Sequence, residues 1–575
     1  MVRYIKSVLK INNLQNIDLA IIHNSLKHAI SAKNMKVETR KEQKIFHPFL
    51  IAFFPIIAIY SVNIGLIQLE QFILPSILIV GGSLLFFLCL NYILKDRKKA
   101  ALIVSLAFML FFSFGHVYNM INQINVGDTD LGTNSILLPI FTILFGIGSI
   151  LVIKTKRTLD NLTSIVNTIS IVFIAVIVTM VGIEGFGCDE CLIQQDTSWE
   201  FDFFSDERID FSPYFEDHSF SISESEYLPN VYYIILDGYP SNDALKKHLN
   251  FDNNKFINFL QQRGFYVPEN SYANYSLSST SIPSTMNMNY INFLADEVGE
   301  DSRNYTPLIG KDYGLYPDNQ VIKNFKSMGY KISKIGSVPM YLHEIPLADI
   351  SLCQQSVHFM NNKLIDAVGK TSMIGYFMER WSEDLQRQII LCNFEELSKV
   401  SGYYEEPIFA WSHIMLPHFP LIFGPNGEPV TPGKPLIVMN NPDYTDSGWD
   451  VKKQFVQQLQ FANKKSMELI DEILEREKQS IIIIQSDHGS AFGINLQNPT
   501  DEDVIQKLSN FSAIYFPDKK YSEMLTENQT NVNTFRIVFN SHFGADYDML
   551  DDRIFWGLSI KKPFWFKDVT SILLN

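Results

Sequence analysis

Cysteine is scarce in this chain, five in 575 residues, too few for a small disulfide-stapled scaffold. Charge is scarce too, at 19% of residues, and it is unevenly spread. Residues 1–183 carry 16 Lys and Arg against 8 Asp and Glu, a net of +8, and the remainder carries a net of −23. An acidic bulk lacks the basic face that a nucleic-acid partner requires. A secretory signal peptide is not expected at the start, where about 45 mostly polar residues precede the first apolar run. The apolar share, 46%, excludes a disordered chain or a fibrous repeat.

What is present is a clustering of long apolar runs in the first third. A helix needs about 20 apolar residues to cross the hydrocarbon core. Five stretches qualify, at 48–68, 72–94, 101–118, 135–153 and 163–183. None has Lys, Arg, Asp or Glu in its middle, which argues against an ion or proton path and for an anchor or lipid-facing platform. Lys and Arg alternate between loops. The segment before the first run holds nine, the second-to-third loop reads KDRKKA, and the fourth-to-fifth begins KTKR. The first-to-second loop and the third-to-fourth loop NQINVGDTDLGTN hold none. This pattern predicts a cytoplasmic N-terminus. An odd number of spans then places everything beyond about residue 184 outside the cytoplasm.

Four domains are expected: a cytoplasmic segment 1–47, a five-helix transmembrane domain 48–183, an acidic extracytoplasmic linker 184–228, and a catalytic domain 229–575. The linker opens with Cys188-Asp-Glu-Cys191. With no second CxxC, a local disulfide or unpaired thiols is expected there rather than a metal site. Sequence does not decide whether Cys353 and Cys392 pair.

From about 229 the pattern is α/β, a mixed sheet flanked by helices. NVYYIILDG (230–238) and SIIIIQSDHG (480–489) are apolar without alternation, as in strands buried on both faces. KISKIGSV (331–338), PIFAWSHI (407–414) and FSAIYFP (511–517) are further strand candidates, and 452–478 is helical. Strand ends carry the sites of such folds. The first buried strand runs into Asp237 and the second into Asp487-His488. A carboxylate desolvated at a strand end requires a cation or donors. Two of them with an imidazole point to a divalent cation.

A hydroxyl-rich stretch, ANYSLSSTSIPSTMNMNYI (273–291), follows about 40 residues after Asp237. Beside a cation, a hydroxyl at a helix N-terminus is a plausible nucleophile. His413-Ile-Met-Leu-Pro-His418-Phe-Pro supplies two histidines for an anionic substrate or a second metal, with ordinary loop histidines as the alternative.

In this order, these four elements resemble the alkaline phosphatase superfamily. More narrowly they resemble its membrane-anchored sulfatase-like branch, which includes lipoteichoic acid synthases and lipid A phosphoethanolamine transferases. The likeness covers roughly 229–575 and includes 256–275 and the tail 533–556. It implies an alkaline-phosphatase-like fold with Asp237, Asp487 and His488 as ligands of one divalent metal, Mn, Zn or Mg. Ser278, three residues before Ser281-Ile282-Pro283, falls at the position of the nucleophile and a fourth ligand, with Thr280 the second candidate. His418 matches a histidine that touches the substrate headgroup or a second zinc, and His413 joins it in substrate binding or proton transfer.

Two departures narrow the activity. Thr285 stands where a formylglycine sulfatase has arginine, so SIPST imitates only the start of that motif. No histidine occurs in SAFGINLQNPTDEDVIQKLSNF after Asp487-His488-Gly489, which favours one metal. The expected activity is hydrolysis or transfer of a phospho-substituent on a membrane lipid or envelope glycan at the outer face of the cytoplasmic membrane, through a phospho-serine. A sulfate ester hydrolase and a catalytically silent envelope protein are the alternatives.

Overall fold

The computed structural model describes residues 43–62, 69–121, 125–126, 129–130, 134–185, 210–215, 228–299, 308, 314–336, 345–354, 362–430, 451–492, 494–495, 498–518, 524–559 and 562–574. Cys188 and Cys191 lie outside them. The chain divides into two compact units, Met1–Ser198 with Asn362–Gly375, and Trp199–Asn361 with Tyr376–Asn575.

The first unit contains α1 (His47–Ser61), α2 (Leu69–Leu94), α3 (Arg97–Ile121), α4 (Asn134–Lys154) and α5 (Asp160–Gly185). Four helices, α2 to α5, are long and apolar enough to cross a membrane. α1 is apolar but has 15 residues, about 22 Å at 1.5 Å per residue. Its apolar run continues into 63–68, outside the described residues, so four long apolar helices and a shorter one stand where five spans are expected. The uncharged faces of α2 and α4 leave Ile77, Leu85, Ile143 and Leu151 exposed, as helices bathed in hydrocarbon do.

Residues 362–375 fold with this unit although they interrupt the globular sequence. The helix Lys363–Lys370 buries Leu364 and Val368 against Ile56 and Phe112. The Asn362 side chain donates to the Gln71 carbonyl at 2.9 Å. Just beyond it, Gly115 N–H donates to Thr371 O and Met373 N–H to Phe111 O. A Cβ at Gly115 would stand 2.5 Å from Thr371 O, so only glycine admits this approach. The second unit is therefore not one uninterrupted stretch of sequence.

The second unit is built on a six-stranded sheet: β1 (Val231–Leu236), β2 (Lys331–Ile335), β3 (Ile350–Leu352), β4 (Ile408–Ile414), β5 (Ile481–Gln485) and β6 (Ser512–Tyr515), in the order β3-β2-β4-β1-β5-β6. All neighbours are parallel except β5 and β6. β1, β4 and β5 are buried throughout, because helices cover both faces. One face packs Tyr233, Ile235, Trp411 and Ile483 against α6 (Ser278–Asn287), α7 (Gln320–Ser327) and the later helix Thr534–His542. The other packs Tyr232, Ile234, Ile414 and Ile484 against α8 (Gly375–Lys399) and α9 (Val451–Arg476). A disulfide joins Cys353 to Cys392. The edge strand β3 has no signature in the sequence, being three residues long with one side exposed.

Candidate active site

Register determines which side chains meet. Ile235 of β1 faces Gln485 of β5, so Asp237 and Asp487, each two residues further on, leave adjacent parallel strands together. On the other side Ile235 faces His413 of β4. Asp237 and His413 therefore project from one face of the sheet, and His413 Nε2 lies 3.0 Å from Asp237 Oδ2. Gly238 follows with φ +67°, and a Cβ there would come 3.3 Å from His418 Cδ2. Its N–H donates to Asp487 Oδ1 at 3.0 Å, as does His488 N–H. Two cis X-Pro bonds, Leu416-Pro417 and Phe419-Pro420, bracket His418.

These contacts use one oxygen of each carboxylate. Asp237 Oδ1 and Asp487 Oδ2 are buried with no hydrogen-bond partner among the described residues. His488 Nε2 lies 4.0 Å from the first and 3.5 Å from the second. His418 Nε2 lies 3.9 Å from Asp237 Oδ1. Asp237, His413 and Asp487 each offer a ligand atom, and the three atoms lie within 4.8 Å of one another. Two buried carboxylates with open oxygens repel each other unless a cation or proton stands between them. The donor set, oxygens and imidazoles, fits a divalent cation.

Electrostatics agree with that arrangement. Burial pushes the Asp237 carboxyl up, but the charge of His418, the hydrogen bond and charge of His413 and the charge of His488 outweigh it and hold the group ionised, well below the usual carboxylate range. Burial lowers the His488 imidazole, helped by the charges of Lys507 and His418 and opposed by Asp487 and Asp237. His488 is thereby disposed to be neutral, the form that presents a lone pair. Its Nδ1 lies 2.8 Å from Gly489 O, and its Nε2 is turned toward Ser278 and the two carboxylates.

The hydroxyl cluster is sorted by the start of α6. Ser278 is the first helical residue and is partly exposed, and its Oγ lies 3.2 Å from His488 Nε2. Thr280 Oγ1 donates to Leu277 O at 3.0 Å, and Ser281 Oγ donates to Asp487 O at 2.7 Å. Both of those hydroxyls are buried and engaged with backbone. Ser278 thus faces the histidine, and Ser281 braces the strand end that carries Asp487.

The sequence reading missed Lys507. It lies in the last turn of α10 (Asp501–Leu508), is buried, and places Nζ 3.0 Å from His488 Nδ1. Burial lowers it to about 8, against the pull of Asp487 and Asp237. No motif marks it, since a lysine in the last turn of a helix is ordinary. Gly489 is equally constrained, because a Cβ there would stand 2.5 Å from Gln506 O.

No protein-family model and no curated protein matches the sequence. Solved structures with some likeness include the C-terminal periplasmic domain of EptC from Escherichia coli in complex with zinc, 10% identical, with 56% of this chain and 84% of that chain covered at a TM-score of 0.35. The integral membrane lipooligosaccharide phosphoethanolamine transferase A from Neisseria meningitidis is 9% identical, with 86% and 94% covered and a TM-score of 0.34. The phosphonate monoester hydrolase of Agrobacterium radiobacter is 11% identical, with 57% and 80% covered and a TM-score of 0.35.

Proposed function

We propose that this chain is a membrane-anchored, metal-dependent hydrolase or transferase of a phospho-substituent, with Ser278 as its nucleophile. The observation that carries the reading is the placement of Ser278 Oγ 3.2 Å from His488 Nε2, where His488 faces the two open carboxylate oxygens. Asp237, Asp487 and His488 would hold the divalent cation, with Ser278 as a further ligand and His413 a further imidazole beside Asp237. When bound, such a cation supplies Lewis acidity toward a phosphoryl oxygen.

The remaining roles fall to the chain's own residues. Ser278 gives its hydroxyl proton to solvent and attacks phosphorus, so that the serine ester bond forms as the bond to the leaving oxygen breaks. The first turn of α6 presents N–H groups toward the anion. His418 has a partly exposed side chain and an Nδ1 held at 2.8 Å from Phe419 O. Its Nε2 is placed for substrate contact and for proton transfer to the leaving oxygen. Water or an acceptor alcohol then displaces Ser278 from phosphorus. His413, buried against Asp237, fixes the carboxylate rather than meeting solvent. A sulfatase of the formylglycine type has no support here, since Ser281 is buried on Asp487 O.

The division of the chain into an N-terminal cytoplasmic segment, a five-span anchor, a linker and an outer catalytic domain is part of the proposal. It is supported by the loop charges, by α2 to α5, and by the Cys353–Cys392 disulfide, which an oxidising compartment permits. A membrane lipid or an envelope glycan is the substrate class an anchored enzyme of this kind would serve. The test is mass spectrometry of the 273–291 peptide after acid quenching with phospholipid substrates. Phosphate on Ser278 is expected, and formylglycine at 281 would sink the proposal in favour of sulfate ester hydrolysis.

A further inference from the structure

Lys334 has no part in the site described so far. It lies on β2, opposite Trp411 of β4 in register. The residue is 2% exposed, and its ammonium stands 4.8 Å from the centre of the Trp411 ring. Nζ is buried without a hydrogen-bond partner among the described residues, and so is the indole Nε1 of Trp411. A cation over an aromatic face is attracted to it, but the ring accepts little from three N–H donors. Buried donors left unmade are costly and rare, so each requires a reason.

The two groups are adjacent, both donate, and neither finds an acceptor among the described residues. Trp411 and His413 are two residues apart on β4 and share a sheet face, and His413 reaches Asp237. The ring of Tyr316 lies 5.0 Å from that of Trp411. The unfilled donors thus stand on the same face as the carboxylates, one register step from His413. Burial also pushes the Lys334 ammonium down to about 7, as expected of a cation with no counter-charge.

We propose that Lys334 and the indole N–H of Trp411 form a buried oxyanion subsite that receives a phosphate group beside the Asp237–Asp487 centre. That the anion is phosphate rests on the phospho-group reading above; that an oxyanion binds there does not. The Lys334 ammonium supplies charge and the indole N–H supplies direction, so a tetrahedral or planar oxyanion completes both donors at once.

The test uses full-length protein in detergent micelles and inorganic phosphate at constant ionic strength, followed by calorimetric titration and thermal melting with a chelator present. Wild type is expected to bind phosphate, and Asp487→Asn to bind it about as well, because the carboxylate centre is not required. Lys334→Met should weaken binding by about tenfold or more, the loss typical of a hydrogen bond to a charged group. Lys334→Arg should retain part of it. Equal phosphate binding by wild type and Lys334→Met overturns the subsite, as does absence of binding in wild type. Phosphate binding that is kept in Lys334→Met and seen only when the chelator is omitted would place the anion at the carboxylate centre, overturning the subsite while leaving the metal reading standing. Full activity in Asp487→Asn would defeat the metal reading and leave the subsite to its own titration. If Lys334→Met fails to fold, Lys334→Gln serves in its place, scored by the same titration.

Discussion

Ser278 Oγ and His488 Nε2 lie 3.2 Å apart across 210 residues of sequence. The contact exists because α6 starts at Ser278 while β5 ends two residues short of Asp487. A helix start and a parallel strand end meet at the carboxyl edge of the sheet, the place where such folds bind ligands.

The nucleophile is the sharpest point of test. Ser278→Ala should remove the phospho-enzyme and nearly all turnover while leaving the melting temperature close to wild type, since the residue is only partly buried. Ser278→Thr should keep measurable activity, because it preserves the hydroxyl. Thr280→Ala should keep most activity and Ser281→Ala somewhat less, as Ser281 Oγ holds the Asp487 carbonyl at 2.7 Å. A phosphate recovered on Thr280 would move the nucleophile. Steady-state rates paired with peptide mass spectrometry decide the order.

Metal removal has a signature in stability as well as rate. Without a cation, Asp237 Oδ1 and Asp487 Oδ2 face each other's field with no hydrogen-bond partner among the described residues. Chelation should lower the melting temperature of wild type. A cation at a hundred times its dissociation constant stabilises the fold by about 2.7 kcal/mol. Asp487→Asn should melt at one temperature with or without chelator, because one of the two repelling charges is gone. A chelator-insensitive wild type would remove the cation from the centre.

Lys334 sets a pH dependence with a defined sign. Its folded value is lowered to about 7 by burial, whereas an unfolded lysine titrates near 10.4. Below pH 7 both states are protonated and the cost of the buried charge is fully present. Between about pH 7 and 10.4 the unfolded chain binds the extra proton, so stability from this group rises with pH. Lys334→Met should therefore be more stable than wild type at pH 6, with the advantage shrinking toward pH 10. Urea unfolding at a series of pH values measures it, and an advantage that grows with pH would contradict the lowered value.

The membrane orientation can be read by labelling. In a background lacking Cys89, the free cysteine of α2, and also Cys188 and Cys191 of the linker, a cysteine at Lys255 should react with an impermeant thiol reagent on intact spheroplasts. One at Lys95, exposed between α2 and α3, should react only after lysis. The opposite pattern would place the globular unit in the cytoplasm, where the Cys353–Cys392 disulfide would be out of keeping with its surroundings.

The sequence by itself determined the strands that frame the site. Val231–Leu236 and Ile481–Gln485 are apolar on both faces, short and rich in β-branched and aromatic residues, a pattern that reads as a strand covered from above and below. It also determined that Asp237 and Asp487 are of interest, since a carboxylate at the end of such a strand needs compensation. The five apolar runs were legible for the same reason, as hydrocarbon tolerates few charges. Tertiary structure decided the rest. Sequence ranks Ser278 above Thr280 only by its offset from Ser281-Ile282-Pro283, and it is the point where α6 begins that turns its hydroxyl toward His488 and those of Thr280 and Ser281 onto backbone. His413 reads as a histidine for substrate binding or proton transfer at the end of a strand, and the register of β1 with β4 sets it instead against Asp237. Lys507 and Lys334 reach their places from a helix end and from the middle of a strand, and nothing local distinguishes them from solvated lysines. Residues 362–375 are assigned to the helical unit by packing on Ile56 and Phe112. Burial and long-range pairing are properties of the folded arrangement, and a local pattern encodes only the face a residue prefers, not the partner it will meet.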